Sequence, residues 1–341
     1  MRRFCLFALA MVTAGFGFAQ DAGPYKVLKT AKVGGDGGFD YVNADEALRK
    51  LYVARTGATP RITVFDLDTL APVGEIPNAR AHGVAISSKS NHGFASSSPL
   101  VMFDAKTLAT IKTIAVEGRP DGLLYDAFND RVYVLSHSAP NVTVINAADG
   151  SIAGTIDLGG APEQAATDGD GRIYVDIEDK DKIAVIDAKK MTVTTQYDLT
   201  GKGGGCAGLA LDVKNQILFA ACREPQTMVI LGAKDGKVIT TLPIGRGCDG
   251  AGFNPSTMEA FSSQGDGTLT IIKENSPTSF AVEQTVQTKP GAKTLTLDAK
   301  TGRILLIAAE WGPIPTPAPG EAPSRRGPML PDSFSIVVVG K

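Results

Sequence analysis

Six residues able to carry charge or a proton recur at nearly even intervals: Asp40, His82, Asp121, Glu163, Asp249 and Lys293, with Ala207 in the remaining gap. Carboxylates brought together raise one another's pKa or attract a cation. Oxygen donors with one imidazole suit Ca²⁺, Mg²⁺ or Mn²⁺ better than a thiolate-seeking metal. Asp40, His82, Asp121, Glu163 and Asp249 are therefore candidate ligands for a divalent cation. A carboxylate beside such an ion can serve as general base in metal-assisted hydrolysis. A structural role is also open. Arg80, Arg119 and Arg246 stand two or three residues before His82, Asp121 and Asp249. There they can neutralise carboxylates between neighbouring segments, while aspartates brace the loop backbone.

The even spacing comes from an internal repeat. Each of these positions lies five residues before a marker that ends a short strand: Asp45, Ser87, Asp126, Asp168, Asp212, Asn254 and Asp298. The markers are about 42 residues apart, the length of a four-stranded propeller blade. After the marker come a polar turn and a second strand, such as Leu51–Val53, Val132–Val134 or Ile173–Val175. A third strand follows, such as Ile62–Phe65, Val142–Ile145, Ile183–Ile186 or Leu269–Ile272. Fourth strands include Ile111–Val116, Ile152–Leu158 and Val238–Ile244. These are short β-branched runs bounded by Gly, Asp, Asn and Pro, with almost no helical periodicity. The expected fold is all-β, a single domain forming a seven-bladed β-propeller of four-stranded blades. The last third strand, Ser335–Val339, ends the chain, and Tyr25–Val33 has the form of a fourth strand without a blade. Pairing the two closes the ring and removes free sheet edges. The repeated loops place the polar positions as a ring at the mouth of the central channel.

The Tyr-Val second strands, the Val-Ile-Asp-like third strands (Val144–Asn146, Val185–Asp187) and the Gly-Thr-Ile fourth strand at Gly154–Ile156 resemble the YVTN-repeat, YncE-like β-propeller family over nearly all of the chain after residue 20. The four-letter repeat itself departs from that pattern, because Tyr-Val is followed by Ala54-Arg55, Leu135-Ser136 and Asp176-Ile177. The resemblance implies an exported binding or surface protein and assigns no chemistry.

Export also follows from the N-terminus. Arg2-Arg3, the apolar run Phe4–Val12 and the small residues around Gly17–Ala19 follow the order of a signal peptide spanning residues 1–19, so residues 20–341 form the mature domain in the periplasm or outside the cell,. No later run approaches the ~18 apolar residues of a membrane helix. Hydrophobic residues make up 43% of the chain and charged residues 21%, which argues against disorder,. The net charge of −2 and the lack of a dense basic run disfavour nucleic acid,.

After the export segment three cysteines remain. Cys206 precedes a first strand and Cys222 ends the paired second strand, equally far from the turn at Asp212–Gln216. Antiparallel pairing sets them opposite each other, and a Cys206–Cys222 disulfide is expected, with Cys248 left over. Cys206–Cys248, at corresponding places in adjacent blades, is the rival pairing. The proline-rich insertion at residues 312–331, with Arg325-Arg326, interrupts the last blade on the polar-ring face. It reads either as a disordered loop or as an arm over the acidic mouth. Trp311 stands at its base.

Asp168-Gly169-Asp170-Gly171 lacks the downstream glutamate of a calcium loop and reads as a hairpin turn. His92 falls in a turn and His137 ends a strand, neither with an evident catalytic partner. No haem, zinc-protease or nucleophile-elbow motif is present. The expected function is that of an exported monomeric propeller binding a protein, glycan or small molecule at its channel mouth. The alternative is a metal-dependent, lactonase-like hydrolase using the carboxylate and histidine ring.

Overall fold

A short turn, repeated seven times, sets the architecture of this protein. The computed structural model describes residues 23–317 and 327–341. The expected export segment and Arg325-Arg326 lie outside these. In six of the seven turns the marker side chain accepts the backbone N–H two residues on, and at Asp45 and Ser87 also the one three residues on. Asp45 Oδ1 accepts from Ala47 and Leu48 at 3.0 and 3.1 Å, and Ser87 Oγ from Lys89 and Ser90. The residue four after the marker then takes a left-handed conformation in six blades: Arg49, Asn91, Asp130, Gln216, Met258 and Gly302. This is how Asp, Asn and Ser start tight turns, and why the marker is restricted to them.

The turns fold the chain into seven four-stranded antiparallel sheets. The first blade comprises Phe39–Asp45, Lys50–Arg55, Arg61–Asp66 and Pro72–Pro77. Five more follow in the same order. The seventh holds Leu295–Asp298, Arg303–Ala308 and Ser335–Gly340, and its outer strand is Lys26–Lys32 from the other end of the chain. That strand pairs antiparallel with Ser335–Gly340, from Lys26 opposite Gly340 to Lys32 opposite Ser335. The expected closure is thus present, and Lys26–Lys32 covers the edge that Ser335–Gly340 would otherwise expose.

Second and third strands are buried on both faces, as in Leu51–Arg55 and Val337–Gly340, whereas the outer Val238–Pro243 alternates between half-buried and exposed. The core accordingly lies between blades rather than within one. Each of seven apolar clusters joins two neighbours. Tyr52 and Val64 of blade one pack with Val101 and Phe103 of blade two, and Leu305 and Ile336 of blade seven pack with Leu51 and Phe65 of blade one. Among the described residues the helical content is one 3-10 turn, Glu178–Lys180, and no helix is long and apolar enough to cross a membrane.

One local expectation changes, in the second blade. The second blade is the slightest, with inner strands of only Val84–Ile86 and His92–Ala95. His92 begins its strand rather than sitting in the turn, and its Nδ1 lies 2.9 Å from the Ala147 carbonyl of the next blade.

Candidate functional site

The channel mouth is built from irregularities in the inner strands. Where these strands begin, their pairing with the second strand slips. In blades one, three and four, two residues oppose one: Asp40-Tyr41, Asp121-Gly122 and Glu163-Gln164. In blades five and six the extra residue is Ala207 and Asp249. A β-bulge bends the strand and re-aims a side chain. Five of the seven ring positions sit at such slips. His82 and Lys293 stand just before the inner strands of blades two and seven.

Asp40, His82, Asp121, Glu163, Asp249 and Lys293 all line one cavity of about 250 Å³, together with Arg119, His137 and Arg223. Ala207 is buried and adds no polar group. Around the mouth the charges alternate. Lys293 Nζ lies 3.4 Å from Asp40 Oδ1. Asp40 Oδ2 lies 2.8 Å from His82 Nδ1, which is 3.1 Å from Asp121 Oδ1. Asp121 Oδ2 lies 3.0 Å from His137 Nε2, which is 3.7 Å from Glu163 Oε1. On the far side Arg223 bonds Glu178 and Asp249, and Asp249 bonds Lys293. Glu178 also acts on Glu163, which brings the two arcs together.

The titration behaviour follows from these ion pairs. The Asp40 carboxylate raises the pKa of His82, and the Asp121 carboxylate raises that of His137, each against burial,. Burial acts to raise Asp40, but the His82 bond and Lys293 hold it below its ordinary value. Burial, the Glu178 bond and nearby Asp249 and Asp121 push Glu163 up to about 9, so it holds its proton at neutral pH. Burial also raises Asp249, with Lys293 and Arg223 opposing. Asp176, fully buried behind the mouth with neither oxygen hydrogen-bonded, is raised well above the carboxylate range by burial.

The arginines expected to neutralise the ring do not pair with it. Arg80 donates to the Gly57 carbonyl, and the backbone N–H groups of Arg119 and Arg246 bond Ser136 and Asp266. His137 and Arg223 take their place, and Glu178 joins them as a partner of Arg223. They come from the ends of second strands, four residues after Tyr133, Tyr174 and Phe219. Aligning the second strands on their aromatic residue, as the first strands align on their marker, exposes these three in consecutive blades.

Below the mouth, the Tyr41 hydroxyl reaches Glu163 Oε2 across the channel at 3.0 Å. Deeper still, Gln164 Oε1 accepts from the Leu209 and Ala251 backbones at 3.0 and 3.1 Å, tying blades four, five and six. Cys206 and Cys222 face each other across blade five and form a disulfide, while Cys248 is a buried free thiol. The base of the proline-rich insertion is ordered as a narrow ladder: Trp311 bridges Met329, and the Gly312 N–H donates to the Pro328 carbonyl at 2.7 Å. It flanks a shallow apolar pocket that shares Lys293 with the mouth.

No family model matches this chain, and no curated protein matches it. The structure is similar to a chain in the crystal structure of the mitotic checkpoint complex, with a TM-score of 0.72 and 12% identity, over 89% of this chain and 95% of that one. At that identity the likeness concerns the fold alone: a seven-bladed β-propeller.

Proposed function

We propose that this chain is an exported propeller of the YVTN-repeat type that binds a small polar ligand at its channel mouth. The observation that carries the reading is the pair of ion-paired arcs around an open cavity. Its cationic arc, Lys293 and Arg223, faces an arc of carboxylates and imidazoles at Asp40, His82, Asp121, His137 and Glu163. Such a lining offers donors and acceptors on opposite sides of one ligand, the arrangement that fixes orientation in small-molecule sites. The family and export assignments rest on the repeat strands and on the order of residues 1–19. Thermal-shift screening of small zwitterions, hydroxy acids and sugars, with metal-free protein, tests the ligand reading. A ligand should raise the unfolding temperature of the native protein and fail to do so for Lys293→Met. Ligands that stabilise both equally, or a screen with none, overturn it.

A second reading, metal-assisted hydrolysis at the same mouth, is favoured by the two imidazole–carboxylate clusters there,. A lactone and ester screen with and without Mn²⁺ or Zn²⁺ tests it. Turnover that appears only with metal and is lost in Glu163→Gln supports it, and no turnover under any condition removes it.

A further inference from the structure

Five donors at the mouth form two sets of three rather than one coordination sphere. Asp40, His82 and Asp121 converge within 4.8 Å of one another, and so do Asp121, His137 and Glu163. Asp121 belongs to both, and it presents a different oxygen to each: Oδ1 to His82 at 3.1 Å and Oδ2 to His137 at 3.0 Å. We propose that the channel mouth is a two-ion centre for borderline divalent metals, of the Mn²⁺, Co²⁺ or Zn²⁺ type, bridged by the Asp121 carboxylate.

Three observations carry this. First, the separations fit. Ligand bonds of 2.0–2.2 Å put neighbouring donors about 3.0–3.4 Å apart in octahedral or tetrahedral geometry; the four imidazole–carboxylate gaps run from 2.8 to 3.7 Å, and the two carboxylates of each triplet lie within 4.8 Å. Second, two buried donors are poorly satisfied. Asp121 is 7% exposed, and its Oδ1 and His137 Nε2 meet only ion-pair neighbours, at 3.1 and 3.0 Å, without a well-formed hydrogen bond. The single Nδ1 proton of His82 is engaged by Asp40, so the second oxygen it faces has nothing to accept,. Buried polar atoms without partners are uncommon and call for an occupant. Third, the outer oxygens are already held. Lys293 is 3.4 Å from Asp40 Oδ1, and Tyr41 bonds Glu163 Oε2, which leaves Asp40 Oδ2 and Glu163 Oε1 turned inward. Groups that orient ligands in this way are a regular part of metal sites.

The donor set selects the metal. Each triplet supplies one nitrogen and two carboxylates. Imidazole with carboxylate suits Mn²⁺, Co²⁺ or Zn²⁺, whereas Ca²⁺ takes six to eight oxygens. Asp249, a candidate ligand on sequence grounds, is excluded because Lys293 and Arg223 already neutralise it. Each ion displaces the proton held between imidazole and carboxylate, so binding releases protons to solvent.

The inference rests on the mouth being a binding site, but its test does not need the small ligand. Metal-stripped protein is titrated with CoCl₂, followed by visible absorption and calorimetry, and then challenged with ZnCl₂, CaCl₂ and MgCl₂. Two equivalents of Co²⁺ should bind and be displaced by Zn²⁺, but not by equimolar Ca²⁺ or Mg²⁺. Asp121→Asn should lose both, His82→Gln and His137→Gln one each, and Cys248→Ser neither, with circular dichroism confirming native folds. Retention of binding in Asp121→Asn, a native stoichiometry other than two, or no saturable binding overturns the two-ion centre. Ligand-induced stabilisation of the metal-free protein is unaffected by that failure, so the two readings fall separately.

Discussion

The Tyr41 hydroxyl bonds Glu163 Oε2 at 3.0 Å, joining the inner strand of blade one to that of blade four across the channel. Sequential neighbours in the ring already share large apolar interfaces. This bond instead ties opposite sides, and it forms the floor beneath the charged mouth. Tyr41→Phe keeps the ring and removes the bond. A net loss of about 1 kcal/mol is expected for a single hydrogen bond, measured by denaturant unfolding. A variant as stable as the native protein would mean that the bond contributes nothing to holding the ring together.

Ring closure makes a sharper prediction. A chain beginning at Gly23 keeps Lys26–Lys32 and should unfold as the native protein does. A chain beginning at Gly34 lacks that strand, which exposes the edge of Ser335–Gly340,. Size-exclusion chromatography and thermal unfolding should find it aggregated or much less stable. Equal behaviour of the two truncations would show that closure is dispensable.

The cysteines of blade five should respond differently from their neighbour. The Cys206–Cys222 bridge closes a loop with a sequence separation of 16, and chain-entropy reasoning gives it up to about 3 kcal/mol. Reduction, or the Cys206→Ser/Cys222→Ser pair, should lower the unfolding midpoint accordingly. Burial pushes the Cys248 thiol up to about 12, so iodoacetamide at pH 8 should leave it unlabelled until the protein unfolds. Peptide mapping reads both outcomes. Labelling of Cys222 without reductant would rule out the bridge.

Away from the mouth, Glu274 of blade six is buried against blade five. It accepts from Asn215 Nδ2 at 2.7 Å and lies near Asp212. Burial, with Asp212 adding and Asn215 opposing, pushes it up to about 7. A carboxyl raised on folding binds more protons in the native state than in the unfolded state. Stability therefore falls as pH rises from its ordinary value near 4.5 through 7. Glu274→Gln should remove this dependence, with little effect at pH 4.5 and a gain of as much as about 3 kcal/mol by pH 8. An equal effect at both pH values would contradict the assignment.

The sequence by itself determined the blade count, the ring closure and the facing of Cys206 and Cys222. These depend on local rules repeated along the chain: a turn-starting Asp, Asn or Ser, strands of β-branched residues, and a 42-residue period,. It also brought Asp40, His82, Asp121, Glu163, Asp249 and Lys293 to equivalent positions, because equal steps from a marker mean equal places on the inner strands. Tertiary structure alone decided which charges meet. Arg80, Arg119 and Arg246 are close in sequence but are not ion-paired with the ring, whereas His137, Glu178 and Arg223 enter it from the ends of second strands. Strand bulges bend the inner strands and re-aim their side chains. A pattern of spacings records which strand a residue belongs to, and leaves open which way its side chain turns.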